Sequence, residues 1–208
     1  WVPPGAEAPQ RVLQYPVCLI VVSNTYARFY GVVTGLSETV LTGDGWAVGV
    51  MLTPGAGGVL TGDVGKWTDR HAELSEVFGD RGTDLERSVR SVMAVEPGVE
   101  ATQRSATDRV EDWLRSYLPL DDDGRLINAI VEYVETDSSV VAVAQICERF
   151  HLTERSLQRL TRRRLGLTPK WLIQRRRLHE AAERLRDRSG TLASLAAELS
   201  YADEAHFV

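Results

Sequence analysis

Four side chains in the last third of the sequence have the types and spacing to read a hydrogen-bonding polymer: Arg155, Gln158, Arg159 and Arg162. They fall at i, i+3, i+4 and i+7, so on a helix they form one stripe. Leu157 and Leu160 point the other way. A guanidinium can bond guanine O6 and N7 together, and a carboxamide can bond adenine N6 and N7. That is the chemistry of a helix laid in the major groove of double-stranded DNA. A merely solvated face would mix signs and pair Glu with Arg four residues apart. Here only Glu154 is near, at the helix N-terminus where the dipole favours an anion.

The elements that must position this stripe can be read around it. Val141, Val143, Ala144, Ile146 and Cys147 predict a short helix ending near Phe150, and His151-Leu152 makes a tight connection. Thr153 is a good N-cap, its hydroxyl able to take an orphan backbone N–H. The second helix is predicted over 154–165 and closed by Gly166. Helix, short turn, helix is the helix-turn-helix arrangement. Thr168-Pro169 opens a third helix, cap then proline at the first position. It is expected to run to about Arg188 with Leu172, Leu178, Ala181, Ala182 and Leu185 inward. Such a helix spans roughly 30 Å, close to the roughly 34 Å of one DNA turn. The first pattern then recurs: a short helix over 191–199, a connection at Ser200-Tyr201-Ala202, and a helix opened by Asp203 with Phe207 inward. Two such units on a rigid spacer would set two reading helices in successive major grooves.

The charge map agrees. The 208 residues carry a net charge of −5, but residues 1–123 hold 10 basic and 18 acidic side chains, whereas residues 151–190 hold 12 basic and 4 acidic. Phosphate binding follows local potential, so the overall acidity does not decide the matter. Nearly all the positive charge is Arg, Lys66 and Lys170 being the two lysines, and the planar fork of Arg suits bidentate contacts. Composition is that of a globular chain, 43% hydrophobic and 25% charged, which excludes disordered and collagen-like classes. The longest apolar run, 17–22, is strand-sized, far short of a spanning helix. No basic-then-apolar leader opens the sequence, so no membrane association and a cytoplasmic location are expected. Both ends read as cut, the second reading helix being truncated at Val208.

Residues 11–65 read as β. The run 17–22, then 27–33, 39–42 and 46–52 are β-branched or aromatic and separated by Gly31, Gly35, Gly43-Asp44-Gly45 and Pro54-Gly55. Asp44-Gly45 reads as a tight hairpin turn, and residues 1–10, rich in Pro and Ala, as irregular. Helices are expected from Thr68: one with Leu74, Val77 and Phe78 ending at Gly79, one with Leu85, Val89, Val92 and Met93 ending before Pro97, and one with Val110, Trp113, Leu114 and Tyr117 to about Leu118. Pro119 and the run Asp121-Asp122-Asp123 mark a domain boundary. Cys18 and Cys147 are too few for a disulfide scaffold and read as buried free thiols. Catalytic signatures fail. His71 is the single His before residue 150 and reads as a helix residue, too little for a metal site. Gly65-Lys66 is followed by Trp67 where a phosphate loop needs Ser or Thr. There is no G-x-S-x-G elbow.

The stretch Thr153-Glu-Arg-Ser-Leu-Gln-Arg-Leu160, then Gly166-Leu-Thr-Pro169, Arg177-Leu-His-Glu-Ala-Ala-Glu-Arg-Leu185 and Leu195-Ala-Ala-Glu-Leu-Ser-Tyr-Ala-Asp-Glu-Ala-His-Phe207 closely resembles the AraC/XylS family of bacterial transcription regulators. The likeness covers about 125–208. It implies two helix-turn-helix units joined by a long helix, with polar positions early in each reading helix on the bases. Carried over, these are Arg155, Gln158 and Arg159, supported by Thr153, Ser156 and Arg162, and in the second unit Glu204, Ala205 and Val208. Arg163, Lys170 and Arg175 are candidate phosphate contacts. The family usually has Gly at both turns, where this chain has His151 and Ser200. His is tolerated at positive φ, so a slightly strained turn is expected.

The expected fold class is α+β: a β-rich N-terminal domain with helices (1–118), a linker (119–124), and an all-α DNA-binding domain (125–208). The expected function is sequence-specific, non-enzymatic transcription regulation. No cofactor or metal is expected. Partners are double-stranded DNA, a small-molecule effector on the N-terminal domain, a second copy of the chain, and RNA polymerase if the protein activates. The alternative is a basic helical adaptor for acidic protein partners. DNA reading predicts sequence preference as well as salt dependence.

Overall fold

The computed structural model describes residues 2, 5–12, 15–35, 37–43 and 45–186. It is α+β. Strands β1 (Glu7–Val12), β2 (Leu19–Ser23), β3 (Ala27–Tyr30), β4 (Ser37–Thr42) and β5 (Ala47–Met51) lead to helix α1 (Ala56–Thr61) and a 3-10 turn (Val64–Lys66). Strand β6 (His71–Glu73) precedes α2 (Leu74–Phe78), α3 (Asp80–Met93), α4 (Glu100–Arg115), α5 (Asp122–Thr136), α6 (Val143–Phe150), α7 (Glu154–Leu165) and α8 (Pro169–Arg186).

Two antiparallel sheets form. One is the β1–β4 pair, the other has the order β5-β2-β3-β6. In the larger sheet, Ile20 and Val22 of β2 and Ala27 and Phe29 of β3 are buried. This is the alternation of a sheet with one covered face. Helices α2, α3 and α4 supply that cover through Leu74, Leu85, Val89, Met93, Ala106 and Val110. Phe29 sits edge-on between Trp67 and Phe78, ring centroids 5.8 Å away on each side. Phe78 in turn meets Trp113 at 5.1 Å. These T-shaped contacts are the favoured aromatic geometry.

Several expectations need correction. Residues 7–10 are not irregular but belong to β1, with Pro9 opposite Val40; a two-stranded sheet is all edge, where the missing proline donor costs little. The Asp44-Gly45 hairpin does not join its flanking strands. β4 pairs with β1 and β5 with β2, so the two lie in different sheets. Helix begins at Ala56, earlier than Thr68, and His71 lies exposed on β6, its ring 5.2 Å from that of Tyr30. Cys18 is buried, and burial pushes its thiol up to about 12 despite a hydrogen bond with the Val32 backbone; Cys147 is only half-buried.

The last three described helices pack around α5, whose Ile127, Ile130 and Val134 are fully buried together with Ile146 of α6, Leu157 of α7 and Leu172 of α8. The Asp121–Asp123 run opens this helix. Asp121 accepts the Gly124 N–H at 2.9 Å, and Asp122 and Asp123 lie in the first turn, where the dipole favours carboxylates. α8 packs on α5 and α7, and its Leu178 is exposed, contrary to its expected inward position. Leu185, Ser200 and the repeated pattern over 191–208 lie outside the described side chains.

The N-terminal part meets α5 and α7 through glycines. Gly166, at φ 72° just after α7, would bring a Cβ to 2.0 Å from the Thr68 hydroxyl, and that hydroxyl donates to the Gly166 carbonyl at 3.2 Å. Gly55 has no room for a side chain either, a Cβ there lying 2.2 Å from the Gly124 carbonyl oxygen, and its N–H donates to Asn128 Oδ1 at 2.8 Å. Gly166→Ala should therefore destabilise the protein by more than the roughly 1–2 kcal/mol that left-handed backbone alone costs. Thermal melts of Gly166→Ala with and without Thr68→Ala check the close approach. The penalty should be smaller in the Thr68→Ala background, and an equal penalty in both would contradict the contact.

Candidate nucleic-acid interface

The helix-turn-helix is built from local chemistry. Gln145 Oε1 accepts the Val141 and Ala142 N–H groups at 2.8 Å each, closing the N-terminus of α6. The turn then bends through His151, at φ 53° and ψ 42°. The left-handed residue expected there is thus present, without glycine. Thr153 caps α7, its hydroxyl accepting the Ser156 N–H at 3.2 Å and donating to Ser156 Oγ at 3.0 Å. Gly166 ends α7, its N–H returning to the Arg162 carbonyl at 2.9 Å. Thr168 Oγ1 accepts from the Trp171 N–H at 3.1 Å and opens α8. The bounds of α7 are those read from the sequence.

α7 is two-faced. Leu157, Thr161, Arg164 and Leu165 are buried, and Leu160 is half-buried. Arg155, Gln158, Arg159, Arg162 and Arg163 are exposed, as is Lys170 at the start of α8. Among the described residues no carboxylate lies within ion-pair distance of these five cations. The acidic side chain closest in sequence, Glu154, sits in the first turn of α7. Six polar groups thus face solvent with their hydrogen-bonding capacity uncommitted to carboxylates.

Other arginines of the same basic block are used internally. Arg164 is 4% exposed and ion-paired with Asp121 and Asp123. It lies nine residues after Arg155, about 180° around a helix of 3.6 residues per turn. Arg176, 6% exposed, donates to the Val140 carbonyl at 3.0 Å and pairs with Glu180. Arg175 is 5% exposed, paired with Glu135 and stacked over the Tyr15 ring at 4.2 Å. That commitment removes Arg175 from the phosphate-contact set. The role of Arg164 escaped the sequence reading, although its position on the helical wheel marks it as inward. Glu204, Ala205 and Val208 lie outside the described residues.

Burial raises the Asp121 carboxyl pKa, but the Arg164 hydrogen bond, the Gly124 N–H and the charges of Arg164 and Arg163 outweigh it, so the net direction is down. A carboxyl depressed in the folded state adds stability above its unfolded pKa and loses it as pH falls through the folded one. Asp121→Asn should therefore lower Tm at neutral pH, and the gap to the parent should close as pH falls below about 4, where the parent carboxyl also protonates. The half-exposed carboxylate keeps the effect modest. A gap independent of pH in thermal melts would contradict the assignment.

Comparison with known families matches residues 146–208 to a helix-turn-helix domain and residues 1–73 to a domain of unknown function (DUF6597). No curated protein and no solved structure gives a significant match. Among the described residues no helix is long and apolar enough to cross a membrane. The helix-turn-helix match covers α7 and its exposed stripe and is of AraC type, and the N-terminal match is of a kind typical of AraC-like proteins. Residues 146–208 thus match an AraC-type helix-turn-helix domain, which supports a DNA-binding regulator of that type.

Proposed function

We propose that the protein recognises a specific DNA sequence by direct readout from α7. Arg155, Gln158 and Arg159 contact base edges, Thr153, Ser156 and Arg162 support them, and Arg163 and Lys170 bind backbone phosphates. The observation that carries this reading is the exposed Arg/Gln stripe, which has no carboxylate partner among the described residues while neighbouring arginines are buried and paired. A stripe serving only solubility gains from paired, mixed charges. The adaptor reading has no such support, because an acidic protein surface does not call for Gln between arginines at base-reading spacing. In the second unit the resemblance assigns the corresponding roles to Glu204, Ala205 and Val208.

Control by a small molecule is a second reading, favoured by one cavity of about 450 Å³. It lies where β5 and α1 meet α4 and the start of α5, between Val59 and Leu60 on one side and Leu114, Tyr117 and Leu120 on the other, with Glu111, Arg115 and Asn128 as polar groups. That volume and lining suit a compact, largely apolar ligand. Its occupant would sit beside the Gly55–Asn128 hydrogen bond and the α5 N-terminus, which holds Arg164 of α7.

Arg159→Ala should cost roughly 1–3 kcal/mol of specific binding and relax the sequence preference, whereas Lys170→Ala should weaken all sequences about equally. Fluorescence anisotropy on specific and scrambled duplexes separates the two, and an unchanged preference in Arg159→Ala would sink the base-reading role. For ligand control, compounds that raise Tm in the parent should fail to do so in Leu60→Trp, which fills the cavity. Compounds that raise Tm equally in both would place the effector elsewhere.

A further inference from the structure

One feature outside α7 shares its charge. The 3-10 turn Val64–Lys66 of the N-terminal part lies against the C-terminal half of α7, close enough that a Cβ on Gly65 would stand 3.1 Å from the Arg162 carbonyl oxygen. Backbone meets backbone there, so the turn is fixed relative to the helix and not merely tethered by long side chains. Thr68, two residues beyond the turn, hydrogen-bonds the Gly166 carbonyl. Between the two elements opens a cleft of about 470 Å³ lined by Asp63, Gly65, Lys66, Arg159, Arg162 and Arg163.

Four cations therefore surround this cleft with a single carboxylate. That carboxylate is engaged: Asp63 Oδ1 accepts the Gly65 N–H at 3.0 Å and caps the turn. None of the four cations has a carboxylate within ion-pair distance among the described residues. The negative end of the α7 dipole accounts for Arg162 and Arg163. It does not account for Arg159, in mid-helix, or for Lys66, brought in by another element. Grouped cations in water repel one another, and an anion in the cleft relieves that repulsion. Guanidinium forks with an ammonium group suit tetrahedral phosphate oxygens.

We propose that this cleft binds phosphate, that Lys66 makes the N-terminal domain part of the nucleic-acid interface, and that the occupant is a backbone phosphate of the DNA read by α7. The inference rests on the DNA reading proposed above, and it adds a contact from outside the helix-turn-helix. Lys66 is exposed, and none of the contacts that hold its turn against α7 involves its side chain. Lys66→Ala therefore leaves the packing intact, which an unchanged Tm verifies.

The test is anisotropy of the full chain and of Lys66→Ala on specific and scrambled duplexes across a salt series. Removing one phosphate contact reduces the slope of log affinity against log salt by about 0.9 and weakens both duplexes roughly three- to tenfold near physiological salt. The ratio between the two duplexes stays as in the parent. An unchanged slope and affinity in Lys66→Ala, with Arg159→Ala still losing sequence preference, overturns the Lys66 contact while leaving the reading of DNA by α7 intact. Loss of preference for neither variant, with no preference in the parent, is failure of that underlying reading. A parallel melt with inorganic phosphate and pyrophosphate separates the sources. A Lys66-dependent rise in Tm with an unchanged DNA salt slope assigns the cleft to a free phosphate compound and overturns the backbone assignment.

Discussion

The buried guanidinium of Arg164 decides how α7 presents itself. Arg164 pairs with Asp121, which caps α5, and with Asp123 in the first turn of α5. Its aliphatic stem lies against Gly58 of α1, where a Cβ would stand 2.7 Å from Arg164 Cδ. One side chain thus ties α7 to the helix it packs on and to the N-terminal part. A charge this buried is tolerable only when paired, and two half-exposed carboxylates share the pairing here. With Arg164 turned inward, helical geometry turns Arg155, Arg159, Arg162 and Arg163 outward.

The same division separates the buried arginines of α7 and α8 from the exposed ones of α7. Arg164, Arg175 and Arg176 are nearly inaccessible and each has an acidic partner. Arg155, Arg159, Arg162 and Arg163, outward on α7, have no carboxylate within ion-pair distance among the described residues. Residue type alone does not separate these groups; burial and pairing do. The internal arginines hold α8 and α7 around α5, so the outward ones stand on a rigid support. Rigidity matters for base reading, because bidentate contacts to guanine or adenine need a fixed approach of the side chain.

The parts legible in the sequence are those governed by neighbours along the chain. Thr153 and Gly166 bound α7, and Thr168-Pro169 opens α8, because caps act within one turn. His151 takes the left-handed conformation that the short connection requires. The helices around Leu74, Leu85 and Val110 follow from their apolar spacing. The α+β class follows from the switch of period along the chain. Strand pairing was not legible. Asp44-Gly45 looks like a hairpin turn locally, yet β4 finds β1 and β5 finds β2, partners set by packing at long range. Arg175 looks like its exposed neighbours until Glu135 and Tyr15 are brought to it. Lys66 carries no local signal at all, since its place beside Arg162 depends on a contact between residues nearly a hundred positions apart.

The central claim is that an unpaired Arg/Gln face on a rigidly held helix reads DNA sequence. The most direct measurement is fluorescence anisotropy of the full chain on DNA from its own upstream region and on scrambled DNA, at low and at physiological salt. Affinity for both should fall with salt while a clear preference for the native sequence survives, since base contacts persist when phosphate contacts are screened. Binding that disappears to the same extent on both duplexes would contradict it.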